Sequence, residues 1–276
     1  MNNKIKKTYR IITKLFLFSF LKTTNFFLQK SNYKIIPAVS DYNSFNFDYS
    51  KSTRRLVLRK NEKSFDKIVI DSTHSETDLC FLGKKYSTNK SSLNLNGHRS
   101  GYTSLYSLLF SRLKEEKCLV AEIGIEKNAS TNMWRDYFSK ARIDCFELEK
   151  KKIDLAKIQK LKKAHYHYID VSNPEVITKQ FNKVNKKFDI IIDDSTHKFN
   201  HQINIIKNTY KFLKSGGYLV IEDIYRFKKE HEENNYFEKL KHLKKIFSKI
   251  VFIETAHANN FTASWKCEKI LLLIKK

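Results

Sequence analysis

Glycine, proline and acidic side chains are in short supply. The 276 residues hold six glycines and two prolines, which excludes collagen-like and Pro/Gly-rich low-complexity chains. No apolar run approaches the ~20 residues of a membrane-spanning helix, so a multi-pass membrane protein is excluded. Cys80, Cys118, Cys145 and Cys267 stand far apart, with no C-x-x-C and no zinc-ligand spacing. Cys118 and Cys145 sit in or beside apolar runs, where a free cysteine behaves as a small buried hydrophobe. A reducing, cytoplasmic setting is expected.

The acid deficit leaves 29 Asp and Glu against 53 Lys and Arg, a net charge of +24. That charge has two readings. One is an anionic partner: nucleic acid, a membrane surface or an acidic glycan. The other is a compositional bias that spreads lysine over the whole chain alongside Asn, Ile and Phe. What is present is a 41% hydrophobic content, enough for a sizeable core and too much for wholesale disorder. The length suits one large domain, or one domain plus an extension.

Three regions are expected. Residues 1–30 carry Ile5, Tyr9, Ile12, Phe16 and Phe20 at helical spacing among Lys4, Lys6, Lys7, Lys14 and Lys22, a basic amphipathic helix. It could dock on the rest of the protein or on a second copy, lie on an anionic membrane surface, or act as a signal segment. Residues 31–95 read as irregular, with short strand-like runs at 55–58 and 67–70. From 96 to 276 the pattern is regular. A helix over 102–113 is followed by apolar runs at 118–123, 142–148, 165–169, 188–192, 218–221, 249–253 and 269–274. Helical stretches at 131–140, 152–163, 174–184 and 200–213 separate the first five. Apolar strands separated by helices make βαβ units. The expected fold is α/β: a doubly wound, mostly parallel sheet of seven strands, the last two antiparallel at one edge.

Ligands of such a sheet bind at the carboxyl ends of its strands. Each of the central five ends in acid: Glu122, Glu147, Asp170, Asp193-Asp194 and Glu222-Asp223. The first loop holds Gly124 alone, not G-x-G-x-x-G, so a pyrophosphate cradle is disfavoured. A nucleoside lacking a pyrophosphate asks for less. Glu122 and Gly124 shape the turn, Glu147 accepts the ribose hydroxyls and Asp170 meets the adenine edge. Asp194, Glu222 and Asp223 at adjacent strand ends repel one another unless a cation sits among them, and all-oxygen donors suit Mg²⁺, Mn²⁺ or Ca²⁺. His197, three residues after Asp194, is placed to act as a general base. Asp193 is expected to hydrogen-bond backbone rather than metal and is grouped with the cofactor-contacting residues.

Four segments in this order carry a resemblance: Ala121-Glu122-Ile123-Gly124-Ile125, Met133-Trp134-Arg135-Asp136-Tyr137-Phe138, Ile191-Ile192-Asp193-Asp194-Ser195-Thr196-His197 and Gly216-Gly217-Tyr218-Leu219-Val220-Ile221-Glu222-Asp223. Over about residues 96–225 the chain resembles class I S-adenosylmethionine-dependent methyltransferases. Within these it is similar to the metal-dependent macrolide-sugar O-methyltransferases of the mycinamicin type and the related cephalosporin hydroxylase-like group. The resemblance implies S-adenosylmethionine at Glu122, Gly124, Glu147 and Asp170, Mg²⁺ on Asp194, Glu222 and Asp223, and His197 as the base. His201 matches a second family histidine to which no role is given. The chain departs from the family at Ser195-Thr196 and in the glycine-poor loop Glu126-Lys127-Asn128-Ala129. The expected reaction is methylation of a sugar hydroxyl on a glycan or small glycoside. An RNA methyltransferase, a catechol-type acceptor and a non-catalytic relative on the same fold stay open, as does a homo-oligomeric state. The segment 1–30 leaves open a membrane-associated enzyme.

Overall fold

The computed structural model describes residues 64–94, 100–256 and 268–276, together with two strands and scattered helical positions nearer the N-terminus. The chain forms two units, Met1–Lys63 and Ser64–Lys276. In the first, β1 (Tyr33–Pro37) pairs antiparallel with β2 (Leu56–Lys60). Most of the basic helix expected over residues 1–30 lies outside the described residues. Among its described positions Phe16, Phe26 and Phe27 are exposed.

The second unit is built on one sheet. Its parallel strands are β4 (Leu119–Ile123), β5 (Arg142–Glu147), β6 (Ala164–Tyr168), β7 (Phe188–Asp193) and β8 (Leu213–Ile221). Their order in space is β8-β7-β4-β5-β6. The chain runs outward from β4 through β5 to β6, then returns to the other side of β4, so the order reverses between β4 and β7. Beyond β8 come β10 (Lys269–Lys275), antiparallel to it, then β9 (Phe247–Ala256), antiparallel to β10. The expected antiparallel pairing of the last two strands is present, but they do not close the sheet. The edge is an eighth strand, β3 (Asp66–Asp71), parallel to β9. It lies in the stretch expected to be irregular. It matches the short strand-like run read at 67–70, and most of it is exposed, Ile68 and Val69 included, as edge strands are.

Alternation along the central strands splits the core between two faces. Ile190, Ile192 and Val220 pack on one, with Tyr106, Phe110, Trp134 and Phe138. Ile191, Leu219 and Ile221 pack on the other, with Phe146, Phe181 and Ile206. The first face is covered by α1 (Asp78–Lys85), α2 (Tyr102–Phe110) and α3 (Ala129–Tyr137). The second is covered by α5 (Pro174–Val184), α6 (Phe199–Thr209) and α7 (Glu233–Leu240). Between β5 and β6 runs α4 (Lys150–Ile158). Local chemistry sets the limits of α5: the Asn173 side chain accepts from the Glu175 and Val176 amides, Pro174 follows, and left-handed Asn185 ends it.

The β8 strand starts five residues earlier than its apolar run. Lys214-Ser215-Gly216-Gly217, which lies between the expected helix and the apolar run, joins the strand through a register shift between Phe188 and Ile190 of β7, with Gly216 at φ +71°.

Candidate active site

The site lies at the carboxyl ends of β4, β5, β7 and β8, where the strand order reverses. Gly124 turns the chain after β4 at φ +89° and donates its amide to the Phe146 carbonyl at 2.8 Å. A Cβ there would sit 2.2 Å from the Asp194 carbonyl oxygen. Glycine is required because the β4 and β7 exits cross at contact distance. The glycine-poor remainder of the loop still bends, with Glu126 at φ +41° and Asn128 at φ +66°. The Asn128 side chain donates to Gln159 at 2.8 Å and to the Tyr166 hydroxyl at 3.0 Å. These bonds hold a conformation that glycine would adopt without help.

Glu122 is fully buried and accepts from Trp134 Nε1 at 3.0 Å and Thr131 Oγ1 at 2.9 Å. Trp134 of the Met-Trp motif thus anchors the acid at the end of β4 from inside the core. Burial raises the Glu122 carboxyl above the usual range. Glu147 ends β5 with Oε2 accepting from the Ile125 amide at 3.2 Å and Oε1 from the Leu148 and Glu149 amides. The two loops are tied together at that carboxylate. Asp170 accepts from the Ser172 hydroxyl and amide, which hold its carboxyl below the usual range. Asp193 does the same with Ser195 from a buried position, and burial pushes it up to about 6. Its carboxylate serves the Ser195 amide at 3.2 Å and the Ser195 hydroxyl at 2.6 Å.

The acids after β7 and β8 face an imidazole. His197 Nε2 lies 4.0 Å from Asp194 Oδ1 and 3.6 Å from Asp223 Oδ2. One donor atom of each of the three lies within 4.8 Å of the others. His197 and Asp223 both have left-handed backbones, at φ +54° and +55°, conformations that cost strain in residues with a Cβ. The buried His231 steadies the first: its Nε2–H donates to the His197 carbonyl at 3.0 Å. His201 turns away and pairs with Thr196 Oγ1 at 2.8 Å.

Glu222 does not join that group. Its carboxylate is buried between the Lys90 ammonium and the Tyr106 hydroxyl, which donates at 2.6 Å. Lys90 also donates to Asp194 Oδ2 at 2.6 Å, and Tyr102 donates to Asp223 Oδ1 at 2.8 Å. The trio expected around one ion is therefore two carboxylates beside an imidazole, with the third locked onto a lysine. Burial raises the carboxyls of Glu222 and Asp223, and neighbouring negative charge raises them further. Burial alone would lower the Lys90 ammonium, but the charges of Asp194 and Glu222 outweigh it and raise it. The sequence reading missed Lys90, Tyr102 and Tyr106. No local signal marks a functional lysine in so lysine-rich a chain. Asp194, Asp223 and His197 bring two carboxylate oxygens and a nitrogen together at a partly exposed opening, a donor set that fits a hard divalent cation.

The strand order, the single-glycine turn after β4 and the acids after β5, β7 and β8 give the chain the fold of the class I S-adenosylmethionine-dependent methyltransferases. It takes the form seen in MycE, a methyltransferase of mycinamycin biosynthesis. Over 72% of this chain and 55% of its own, MycE solved with Mg, S-adenosylhomocysteine and mycinamycin VI superposes with a TM-score of 0.55 at 19% identity. An O-methyltransferase from Bacillus cereus, solved with S-adenosylhomocysteine, gives 0.51 at 15% identity over 74% of this chain and 93% of its own. In sequence, the chain is 27% identical over 171 residues to 8-demethyl-8-(2-methoxy-alpha-L-rhamnosyl)-tetracenomycin-C 3'-O-methyltransferase of Streptomyces olivaceus. That match covers 59% of this chain and 41% of the relative, so the chain spans about half the length of this relative and of MycE. No family model matches the chain.

Proposed function

We propose that the protein is an O-methyltransferase that uses S-adenosylmethionine and Mg²⁺ to methylate a sugar hydroxyl of a glycoside or glycan. The observation that carries this reading is the meeting of Asp194, His197 and Asp223 at the strand ends, one loop away from the Gly124 turn. The rhamnosyl group in the tetracenomycin relative's name supports a sugar acceptor, and MycE, solved with Mg and mycinamycin VI, supports the metal.

Glu147 faces the first loop, where it would accept the ribose hydroxyls, with Asp170 beside the adenine edge. Asp194 and Asp223 would hold the ion, which when bound makes a coordinated hydroxyl more acidic. His197 takes the hydroxyl proton on Nε2 as the oxygen bonds to the methyl carbon and the carbon–sulfur bond breaks. An imidazole nitrogen cannot bind a metal and a proton at once, so this reading separates the jobs of carboxylates and imidazole. The opening after β7 and β8 orients the acceptor, and that alignment supplies much of the rate.

The test is transfer of labelled methyl from S-adenosylmethionine to a panel of rhamnosides and other glycosides, with and without Mg²⁺. His197→Ala should fold, keep its affinity for S-adenosylmethionine and Mn²⁺, and lose roughly 10²–10⁴-fold in turnover. Near-wild-type turnover in that variant would remove the base assignment. Loss of Mn²⁺ affinity would make His197 a metal ligand.

A further inference from the structure

The amino-terminal end of the sheet carries the charge opposite to that of the acidic strand ends. The turns that enter β6, β7 and β8 hold Lys160, Lys162, Lys163, Lys186, Lys187 and Lys211 and no acid. Lys275 reaches the same end from β10, which runs antiparallel to β8. The ordered ammonium groups of the molecule divide into two sets. Lys67, Lys85, Lys114 and Lys214 each lie on a carboxylate. Lys163, Lys187 and Lys275 donate instead to backbone carbonyls: Lys163 to Lys140, Lys187 to Lys211, and Lys275 to Leu213 at 2.8 Å and to Tyr210 at 3.3 Å. Among the described residues these three form no ion pair, and all three stand at this end.

Helix direction explains how they gather there. The helices run back along the strands, so α5 and α6 end where β7 and β8 begin. The carbonyl-rich ends of helices attract ammonium groups, and that attraction holds the lysines close without neutralising them. The Lys187 and Lys211 ammonium groups both lie over the Phe212 ring, 5.9 and 5.3 Å from its centre. Burial, and then the charge of Lys187, lower the Lys275 ammonium.

Beside this cluster is a hollow of about 340 Å³ lined by Asn182, Asn185, Lys186, Lys187, Lys211 and Phe212. Asn185 takes its place through the left-handed backbone, φ +50°, that ends α5. The polar side chains of the hollow offer N–H donors and no negative charge. That lining fits a phosphate ester: an anion for the ammonium groups, several acceptor oxygens for the donors, and room for the sugar or glycerol that carries the phosphate. It does not fit a stacked nucleobase, because its one aromatic ring, Phe212, is buried and already faced by two ammonium groups.

We propose that this hollow is an anion site for the phosphate of a phosphate ester, a small soluble one or a lipid headgroup, at the end of the sheet opposite the active site. The proposal is independent of the methyl-transfer reading. A ligand held there leaves Asp194 and Asp223 at the far ends of the strands, facing away from it.

The experiment uses the full chain at low ionic strength, where surface charge is least screened. Glycerol 3-phosphate is titrated by calorimetry, and phosphatidylcholine vesicles with and without phosphatidylglycerol are tested by co-sedimentation. Wild type should bind glycerol 3-phosphate, the phosphatidylglycerol vesicles, or both. Binding of glycerol 3-phosphate alone identifies a soluble ester, and binding of the vesicles identifies a headgroup. In Lys187→Gln/Lys211→Gln the bound probe should be held about tenfold more weakly or worse, as loss of two unit charges at contact range implies. Lys157→Gln/Lys239→Gln removes the same charge from exposed lysines outside the hollow and should bind as wild type does. All three proteins should melt at about the same temperature, because the four replaced side chains are exposed. If the hollow variant melts markedly lower, Lys186→Gln/Lys211→Gln, which spares the bond from Lys187, takes its place. Equal weakening in both double variants overturns the proposal, because overall charge would then be the cause. It is overturned as well by a wild type that binds neither probe, or by a hollow variant that binds as tightly as wild type.

Discussion

At Gly124 one atom decides whether the loop forms. A methyl group in place of its hydrogen would collide with the Asp194 carbonyl at 2.2 Å, and φ is +89°. The atoms it would meet are backbone, not a flexible side chain that could move aside. Gly124→Ala should therefore displace the backbone on which Asp194 sits. We expect a loss of about 1–3 kcal/mol in stability, read as a lower melting temperature, together with weaker S-adenosylmethionine binding by calorimetry. An unchanged melting temperature would show that the two strand exits can separate at little cost. The motif residues have equally specific duties. Trp134 binds Glu122 from below, and Met133, Tyr137 and Phe138 are buried beside it. Their apolar spacing was legible in the sequence, but the hydrogen bond to Glu122 was not. It depends on how α3 packs against β4.

The outer parallel strands β5 and β6 are coupled by Asp144. This carboxylate is fully buried, takes both Arg142 Nε and Nη2 at 2.8 Å, and meets His167 Nε2 on the neighbouring strand at 2.8 Å. Burial alone would raise its pKa, but the hydrogen bonds from Arg142 and His167 outweigh burial and hold it below the usual range. A carboxyl depressed in the folded state adds stability above its unfolded pKa of ~3.9 and loses it as pH falls through the folded value. The wild-type melting temperature should thus fall as pH drops below about 4. Asp144→Asn should be less stable near neutrality, with a shallower acid limb, so that the two curves converge at low pH. Parallel curves from pH 7 to 3 would remove Asp144 from the acid response. The central strands were readable because their apolar runs are continuous and their helices local. The edge strand β3 was legible only as the isolated strand-like run at 67–70, and its place in the main sheet was not, because pairing with β9 joins residues far apart in the chain.

For the molecule as a whole, Ser64–Lys276 contains the sheet, both halves of the core and every residue of the site. Expressed alone, this segment should unfold in a single cooperative transition and bind S-adenosylmethionine about as tightly as the full chain. A broad transition would mean that residues 1–63 belong to the same cooperative unit. The surplus of lysine reaches the buried acids at one point at least, where Lys90 crosses to acids 104 and 132 residues further on.

Alternation of apolar and polar residues, and the rule that α/β sheets place chemistry after their strands, were enough to read the architecture and to name Glu122, Gly124, Glu147, Asp170, Asp193, Asp194, His197, Glu222 and Asp223 as candidates from the order of residues alone, because strand periodicity and strand ends are local features of the chain. Which of those acids gather beside His197, and which is paired with a lysine, emerged only when α2 and its preceding segment packed over β7 and β8. Charge balance in a buried cluster depends on distances through space, and these pairings join residues a hundred or more positions apart.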